Sequence, residues 1–562
     1  MPKNIFEKLK DLFTTQNTKL TSIASKLEEL EIGGGGGVGQ VDATPGATYH
    51  GEIFNQYTGI DTNQATGMNT HAEGYSTIAS GSFSHAEGQN TEASGAFSHA
   101  EGQNTTATKD GAHAEGELCD ATGKWSHAEG FDTTASGNYS HTEGKYSTAS
   151  SDACHAEGWQ TTANGTYCHA EGLETTASGN CCHSEGFDNT SEGYYCHTEG
   201  YGTHAAGYSC HAEGDHTEAL GNQTHAEGKS TKATGDYSHA EGYQTQATAK
   251  FSHAEGSDTK ASAQYTHAGG WYCEVSATYG YAHGYNNFVT SDGGDVTGGH
   301  DNVIGSIDPS KIYDFNHVYS GMSSVGSDAT YSHAEGEYNR VWGSRAHVEG
   351  YKNIVYGSQS HGEGCQNIIG GYSQSPDLRS IYQATFDPDH NNMTPSYCHA
   401  EGLDNNVTGT ASHVEGDYNT VHGNYAHGEG YGTKSWGTGT HTEGRETKAT
   451  GDYSHAEGGN NETSGDYSHI EGQGNTCNEP HQHVQGKYNV ADSTMQMIIG
   501  YGTNVSSTIT RKNIFTVDKT GNIQCGESDT AGDFTGHYGT VNGVDLQQLA
   551  ADVAAIKLQL GI

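Results

Sequence analysis

Large apolar residues are scarce in this 562-residue chain: Leu, Ile, Val and Phe together make up about 12 per cent of it. With so few, the sequence cannot furnish several ordinary globular cores, and composition alone reads as disorder. Basic residues are also few, 25 Lys and Arg against 69 Asp and Glu, for a formal net charge of −44 with His neutral. A surface this acidic is repelled by phosphate, so neither nucleic acid nor an anionic membrane is expected as a partner. No apolar run of about 20 residues occurs, which excludes a bilayer-spanning helix. The start, MPKNIFEKLKDLFTTQ, lacks the apolar core of a secretion signal, so no export address is expected there.

What is abundant is glycine, 81 residues, and histidine, 35 residues. Both are periodic, and the period rules out a disordered chain. The phrase H-x-E-G recurs every 14 residues from His71 to His253, and His267 keeps the step. Longer steps then reach His283, His300, His317 and His333. The 14-residue step returns for His347 and His361, pauses for 24 extra residues, and resumes from His399 to His483. On this reading 28 of the 35 histidines are in register, and H-x-E-G occurs in full 23 times.

Numbered from the His as zero, the unit reads H-A-E-G-x-x-T-x-A-S-G-x-Y-S. Position +8 is Ala in most early units and Val or Ile in later ones, where Asn replaces Thr at +6 (Asn339 and Val341, Asn353 and Val355). Alternation along a strand puts the −2 aromatic, the His and the Glu on one face, and Ser, Ala and Gly on the other. Each unit then supplies two short strands and two turns, and successive units stack about 4.8 Å apart. The expected fold is an all-β solenoid, a parallel β-roll of 14-residue coils in which each coil contacts its neighbours.

One such roll is too thin to bury much apolar surface. Association of several chains would supply that burial, and the aromatic, His and Glu face is the expected contact surface. A structural ladder is expected there, with rungs formed by His71 and Glu73, His85 and Glu87, His99 and Glu101, and His127 and Glu129. Further rungs are His239 and Glu241, His333 and Glu335, and His455 and Glu457. Stacked carboxylates repel one another, so the ladder is expected to share protons between His and Glu and to be pH-sensitive.

The termini change to a helical period. Phe6, Leu9, Phe13, Gln16, Leu20, Ile23, Leu27 and Leu30 form a heptad seam, with Gln16 the polar position. Leu546, Leu549, Val553, Ile556 and Leu560 repeat the pattern, with Asp545 as a candidate N-cap. Both seams are expected to oligomerise as short coiled coils. Spacing alone does not decide between two chains and three.

The expected organisation is a coiled coil at 1–32, a Gly-rich linker at 33–50 and regular coils at 51–267. Irregular coils with longer loops follow at 268–332. Further coils fill 333–490, with a loop insertion at about 365–398. A C-terminal β segment at 491–540 precedes a second coiled coil at 541–562.

The SHAEG units resemble the head repeats of trimeric autotransporter adhesins, and more closely those of phage tail fibre and tail-tip proteins. GEIFNQYTG at 51–59, HVQGKYNVAD at 483–492 and NIFTVDKTGNI at 513–523 carry the likeness to the phage group, which spans roughly 51–523. The resemblance implies a left-handed roll, a homotrimer, and a virion protein made in the host cytoplasm. Partners would be other tail or baseplate proteins and a host-surface glycan or protein. Surface adhesins of the autotransporter class carry a signal peptide and a C-terminal membrane barrel, neither of which is expected here. A bacterial surface adhesin and a polysaccharide-degrading tailspike are the alternatives.

No catalytic signature stands out: G-x-S-x-G, a Walker loop and H-E-x-x-H are all missing. The chain is expected not to be an enzyme. Receptor binding is expected in the second insertion, through Tyr372, Arg379, Tyr382, Phe386 and His390, since loops on a rigid scaffold carry recognition. No cofactor is expected, apart from one candidate metal site at His481 and His483, whose rings alternation would place on one face. Cys154, Cys168, Cys182, Cys196 and Cys210 replace Ser in five consecutive coils and are expected to be free buried thiols.

Overall fold

Small residues at every second position, broken by glycine, leave the chain one way to satisfy its backbone: stacking of equivalent segments. The computed structural model describes residues 63–305, 329–370, 396–505 and 508–528. It also gives the backbone of strands Glu52–Phe54, Thr540–Val541 and Val544–Asp545, and residue Ala555. The chain forms two units, Met1–Asp215 and His216–Ile562, and the described residues of each are built on a parallel β-solenoid of 14-residue coils.

In the first unit, five-residue strands recur every 14 residues from His71–Tyr75 to His211–Asp215, with two-residue strands such as Ile78–Ala79 between them. Equivalent positions pair directly: His113 with His127, Ala114 with Ala128, Glu115 with Glu129 and Gly116 with Gly130. Backbone bonds cross the turns as well, for example His85 N to Ser98 O at 3.0 Å and Ile78 N to Thr91 O at 2.9 Å. Ala72, Ala79, Ala86 and Ala93 are wholly buried and fill the thin interior. Thr at +6 and Ser or Cys at −1 line it too.

The glycine at +3 does not fill that interior; it is needed at a bend. Gly130 has φ of +109°, and a Cβ there would lie 2.1 Å from the carbonyl oxygen of Gly144 in the next coil. The residue at −2 is also left-handed, as at Phe83 (φ 62°), Phe97 (φ 62°) and Tyr139 (φ 58°). Alternation therefore stops before the histidine. The aromatics stand on a separate, exposed column and do not share the face of His and Glu, contrary to the strand pattern.

In the second unit the interior widens, with Val289, Ile304, Val341, Val355 and Ile369 buried. Here the 14-residue step continues where the sequence reading lengthens it. Tyr281 pairs with His267, Asp295 pairs with Tyr281, and His333 pairs with Asp295. Tyr281 and Asp295 thus hold the column positions assigned to His283 and His300. His283 falls two residues later in its coil, at the slot usually held by Glu, and His317 lies outside the described residues. NNFVTSDGGDVTGG at 286–299 belongs to these coils and not to a loop. The expected irregular stretch, 268–332, keeps the coil up to residue 305 but lengthens one step: an extra residue between Val296 and His300 pairs Tyr285 with His300 and Phe288 with Val303.

Two interruptions remain. Residues 306–328 separate strand Val303–Ile304 from its partner Arg340–Val341, and residues 371–395 separate Ile368–Ile369 from Asn406–Val407. Both depart just after a two-residue strand, and the chain is back in register just before the next histidine. The second insertion is narrower than 365–398, because Cys365 and Cys398 sit in regular coils.

The roll of the second unit ends by reversing strand direction. Met495–Tyr501 pairs parallel with His483–Lys487 and antiparallel with Asn513–Asp518, which pairs antiparallel with Ile523–Ser528. Val544–Asp545 pairs with Thr540–Val541, so Asp545 lies in a strand pair at the start of the expected helix. The seam residues Phe6 to Leu30 and Leu546 to Leu560 lie outside the described residues.

Candidate functional site

The imidazoles of successive coils stack directly on one another, because the in-register strands place each His above the last. Ring centroids are 4.5 Å apart for His113 and His127 and 4.7 Å for His127 and His141, with planes nearly parallel. In the second unit His427 and His441 stack at 4.7 Å, and His441 and His455 at 4.5 Å.

Within a coil the carboxylate two residues on approaches the ring. Nε2 to Oε2 is 3.4 Å from His71 to Glu73 and from His99 to Glu101, and 3.6 Å from His127 to Glu129. It is 3.7 Å from His85 to Glu87, 3.5 Å from His239 to Glu241 and 3.9 Å from His333 to Glu335. Glu457 holds the same strand position beside His455, but its carbonyl is what the structure engages, accepting from Asn461 Nδ2 at 2.5 Å. The carboxylates also stand farther into solvent than a closed ladder would place them: Glu87 is 52 per cent exposed and Glu335 is 57 per cent exposed.

Most of these contacts are too long for hydrogen bonds. The Nε2 atoms of His85, His99, His113, His127, His141 and His155 are buried and have no hydrogen-bond partner within the chain. Those of His239 and His455 are in the same position. The ring edges remain about a third exposed, 35 per cent for His113 and 33 per cent for His127. The face is thus half-buried and polar, and its ring nitrogens lack partners.

Protonation follows from this packing. Burial, and then the neighbouring imidazoles, hold His85, His99, His155, His239 and His399 below the usual histidine value. The same causes bring His127 and His455 to about 4. The carboxylates of neighbouring coils shift one another in opposite directions. A hydrogen bond between Glu115 and Glu129 lowers the first and raises the second to about 7, and Glu143 and Glu157 repeat the pattern.

Within these rungs burial works against protonation of the ring: it holds His85, His99, His239 and His455, the rings beside Glu87, Glu101, Glu241 and Glu457, below the usual histidine value. From Glu115 to Glu157 the strongest influence on each carboxylate is the glutamate of a neighbouring coil. Glu73 lies within hydrogen-bond reach of its ring, 3.4 Å from His71 Nε2. Glu335 is displaced from its expected role by an aspartate: His333 bonds Asp295, and that bond raises its pKa.

The −2 residues form a second column. Phe83 and Phe97 stack at 5.1 Å, Tyr237 and Phe251 at 4.9 Å, and Tyr453 and Tyr467 at 5.1 Å. Phe97 is 61 per cent exposed and Tyr139 is 68 per cent exposed. His481 belongs here: its φ is +59°, and its ring lies over Tyr467 at 5.1 Å. His483 instead lies on the imidazole column, 4.8 Å from His469. The two expected metal ligands stand on different columns, because the left-handed residue breaks the alternation that would have aligned them.

A third column, inside the roll, was not anticipated from the sequence. Asn353 Nδ2 donates to the carbonyls of Glu349 (2.7 Å) and Gly364 (2.9 Å), while its Oδ1 accepts from Asn367 N (2.9 Å). Asn367 repeats the pattern with Glu363, Gly402 and Asn405. Threonine at the same slot does less: the hydroxyls of Thr91 and Thr175 are buried without a partner. The recurrence of Asn at +6 was the available signal.

Cys154, Cys168, Cys182, Cys196 and Cys210 are buried and form no disulfide, as the Ser slot suggested. Donor groups that could hold a metal ion are two histidines and the glutamate between them, as in His113, Glu115 and His127. The candidate receptor residues Tyr372, Arg379, Tyr382, Phe386 and His390 lie outside the described residues. Among the described residues no helix is long and apolar enough to cross a membrane. No family model matches the chain, and no curated protein matches it.

Proposed function

We propose that this chain is a structural, non-enzymatic subunit of a phage tail fibre. It assembles as a homotrimer, is carried on the virion, and binds a host-surface glycan or protein. Its repeats resemble those of phage fibres, and a parallel solenoid is a scaffold that extends by adding coils. Chains associate through the imidazole and carboxylate face, where large side chains are half-buried and ring nitrogens lack partners within one chain. A second chain can supply donors, acceptors and burial together.

One observation carries the binding role. Both insertions of the second unit depart at the same place in the coil, after Val303–Ile304 and after Ile368–Ile369. Three coils separate them, about 14 Å along the roll. Segments inserted at one point of the coil of a regular support are where recognition usually resides. Tyr372, Arg379, Tyr382, Phe386 and His390 of the second insertion supply rings and a guanidinium for stacking on sugar.

Electron microscopy of particles labelled with a gold-conjugated antibody tests this reading. Label on the tail is expected. Label confined to the bacterial surface contradicts the fibre and favours an adhesin. Release of reducing ends from host glycans contradicts the non-enzymatic role.

A further inference from the structure

We propose that the coils between His113 and His141 bind one divalent metal ion of the zinc class, with His127 as the ligand common to two alternative positions. The proposal is for the single chain, and a second chain seated on the imidazole face would compete for the same ring nitrogens.

The geometry begins with two triads. The donor atoms of His113, Glu115 and His127 lie within 4.8 Å of one another, and so do those of His127, Glu129 and His141. His113 Nε2 is 3.7 Å from Glu115 Oε2, and His127 Nε2 is 3.9 Å from Glu115 Oε1 and 3.6 Å from Glu129 Oε2. Donors on a tetrahedral zinc ion, at about 2.1 Å each, stand about 3.4 Å apart. The carboxylate contacts therefore close by about 0.2–0.5 Å, while the two stacked rings of a triad, 4.5 Å apart for His113 and His127, tilt toward each other so that both nitrogens reach the ion.

The ring nitrogens supply a second and independent reason. Nε2 of His113, His127 and His141 is buried, yet no hydrogen-bond donor or acceptor within the chain meets it. A buried nitrogen without a partner is costly. Stacked parallel rings cannot satisfy one another, and the carboxylates sit beyond normal hydrogen-bond length. A cation between ring and carboxylate satisfies the nitrogen and relieves the crowding of Glu115 against Glu129. Imidazole with carboxylate selects zinc, nickel or copper, whereas calcium and magnesium prefer all-oxygen sets.

Sharing sets the stoichiometry. One Nε2 lone pair serves one ion, so the two triads hold one ion between them. Loss of His127 removes both positions, whereas loss of His113 leaves the position formed by His127, Glu129 and His141.

The test is equilibrium dialysis of the full chain against micromolar zinc chloride, followed by elemental analysis. His127→Asn is expected to retain one zinc equivalent fewer than the unaltered chain. His113→Asn and His422→Asn are expected to retain the full number; His422 lies off the ladder, with its Nδ1 bonded to the Thr408 hydroxyl. An unaltered chain without bound zinc overturns the proposal, as does His127→Asn with zinc undiminished or matched by equal loss in His113→Asn. Should His127→Asn lose its β-sheet circular dichroism, zinc titration of the unaltered chain decides. A rise in Tm supports the site, and an unchanged Tm overturns it.

Discussion

His333 and Asp295 are direct strand partners although 38 residues separate them, and His333 Nδ1 lies 3.3 Å from Asp295 Oδ2. The aspartate stands in the histidine column, so this one imidazole meets a carboxylate where its relatives meet another ring. The bond raises the pKa of His333, while burial lowers that of His347 in the next coil. Side-chain NMR titration should place the midpoint of His333 above 6.5 and that of His347 below it. Asp295→Asn should bring His333 down toward its neighbours. Equal midpoints in the unaltered chain would contradict the register.

The asparagine column predicts a pair of opposite stability effects. Asn353→Ala leaves two carbonyls and one amide of the interior without partners, and should cost roughly 3 kcal/mol. Thr175→Asn should stabilise by about 1 kcal/mol. Asn189, in the following coil, already bonds the carbonyls of Glu185 and Gly200 and accepts from Thr203 N between two threonine-bearing coils. Denaturant unfolding of the two variants checks both signs.

Gly130→Ala should be among the most damaging substitutions in the first unit. The new Cβ would meet the Gly144 carbonyl at 2.1 Å in a backbone region that L side chains rarely adopt. Loss of about 3 kcal/mol or more is expected. Ser136→Ala, at the solvent-exposed +9 position, should change stability by less than about 0.5 kcal/mol.

Stability should peak near neutral pH when measured with a chelator present. Histidines held below 6.5, to about 4 at His127 and His455, bind protons more readily when unfolded. Their contribution is complete above 6.5 and is lost as pH falls toward 4. Glu129 and Glu157, raised to about 7, work the other way: their contribution is complete below 4.5 and is lost as pH rises through 7. Melting temperature measured from pH 5 to pH 9 should rise and then fall. A flat profile would remove the ladder from the stability account.

The 14-residue spacing made the coil, its two strands and its buried Ala and Thr legible in the sequence, because in-register stacking needs only a period. Chemistry at the turns was not legible. A left-handed residue at −2 moves Phe83 and His481 off the face where simple alternation puts them, and nothing in residue type marks Phe or Tyr as left-handed. Tyr281 and Asp295 were missed because histidine served as the marker of the column, and neither is a histidine. Proton placement also escaped, since it depends on the contact of Glu115 with Glu129 in the next coil and on the burial of each ring.

The association of chains through the imidazole face is the central claim, and sedimentation equilibrium with a chelator present tests it most directly. The chain should sediment at three times its 59.4 kDa. Replacing His99, His127 and His155 with Asp, which sets further negative charge against the repeat glutamates, should shift it toward the single-chain mass. A single-chain mass for the unaltered protein would contradict the account.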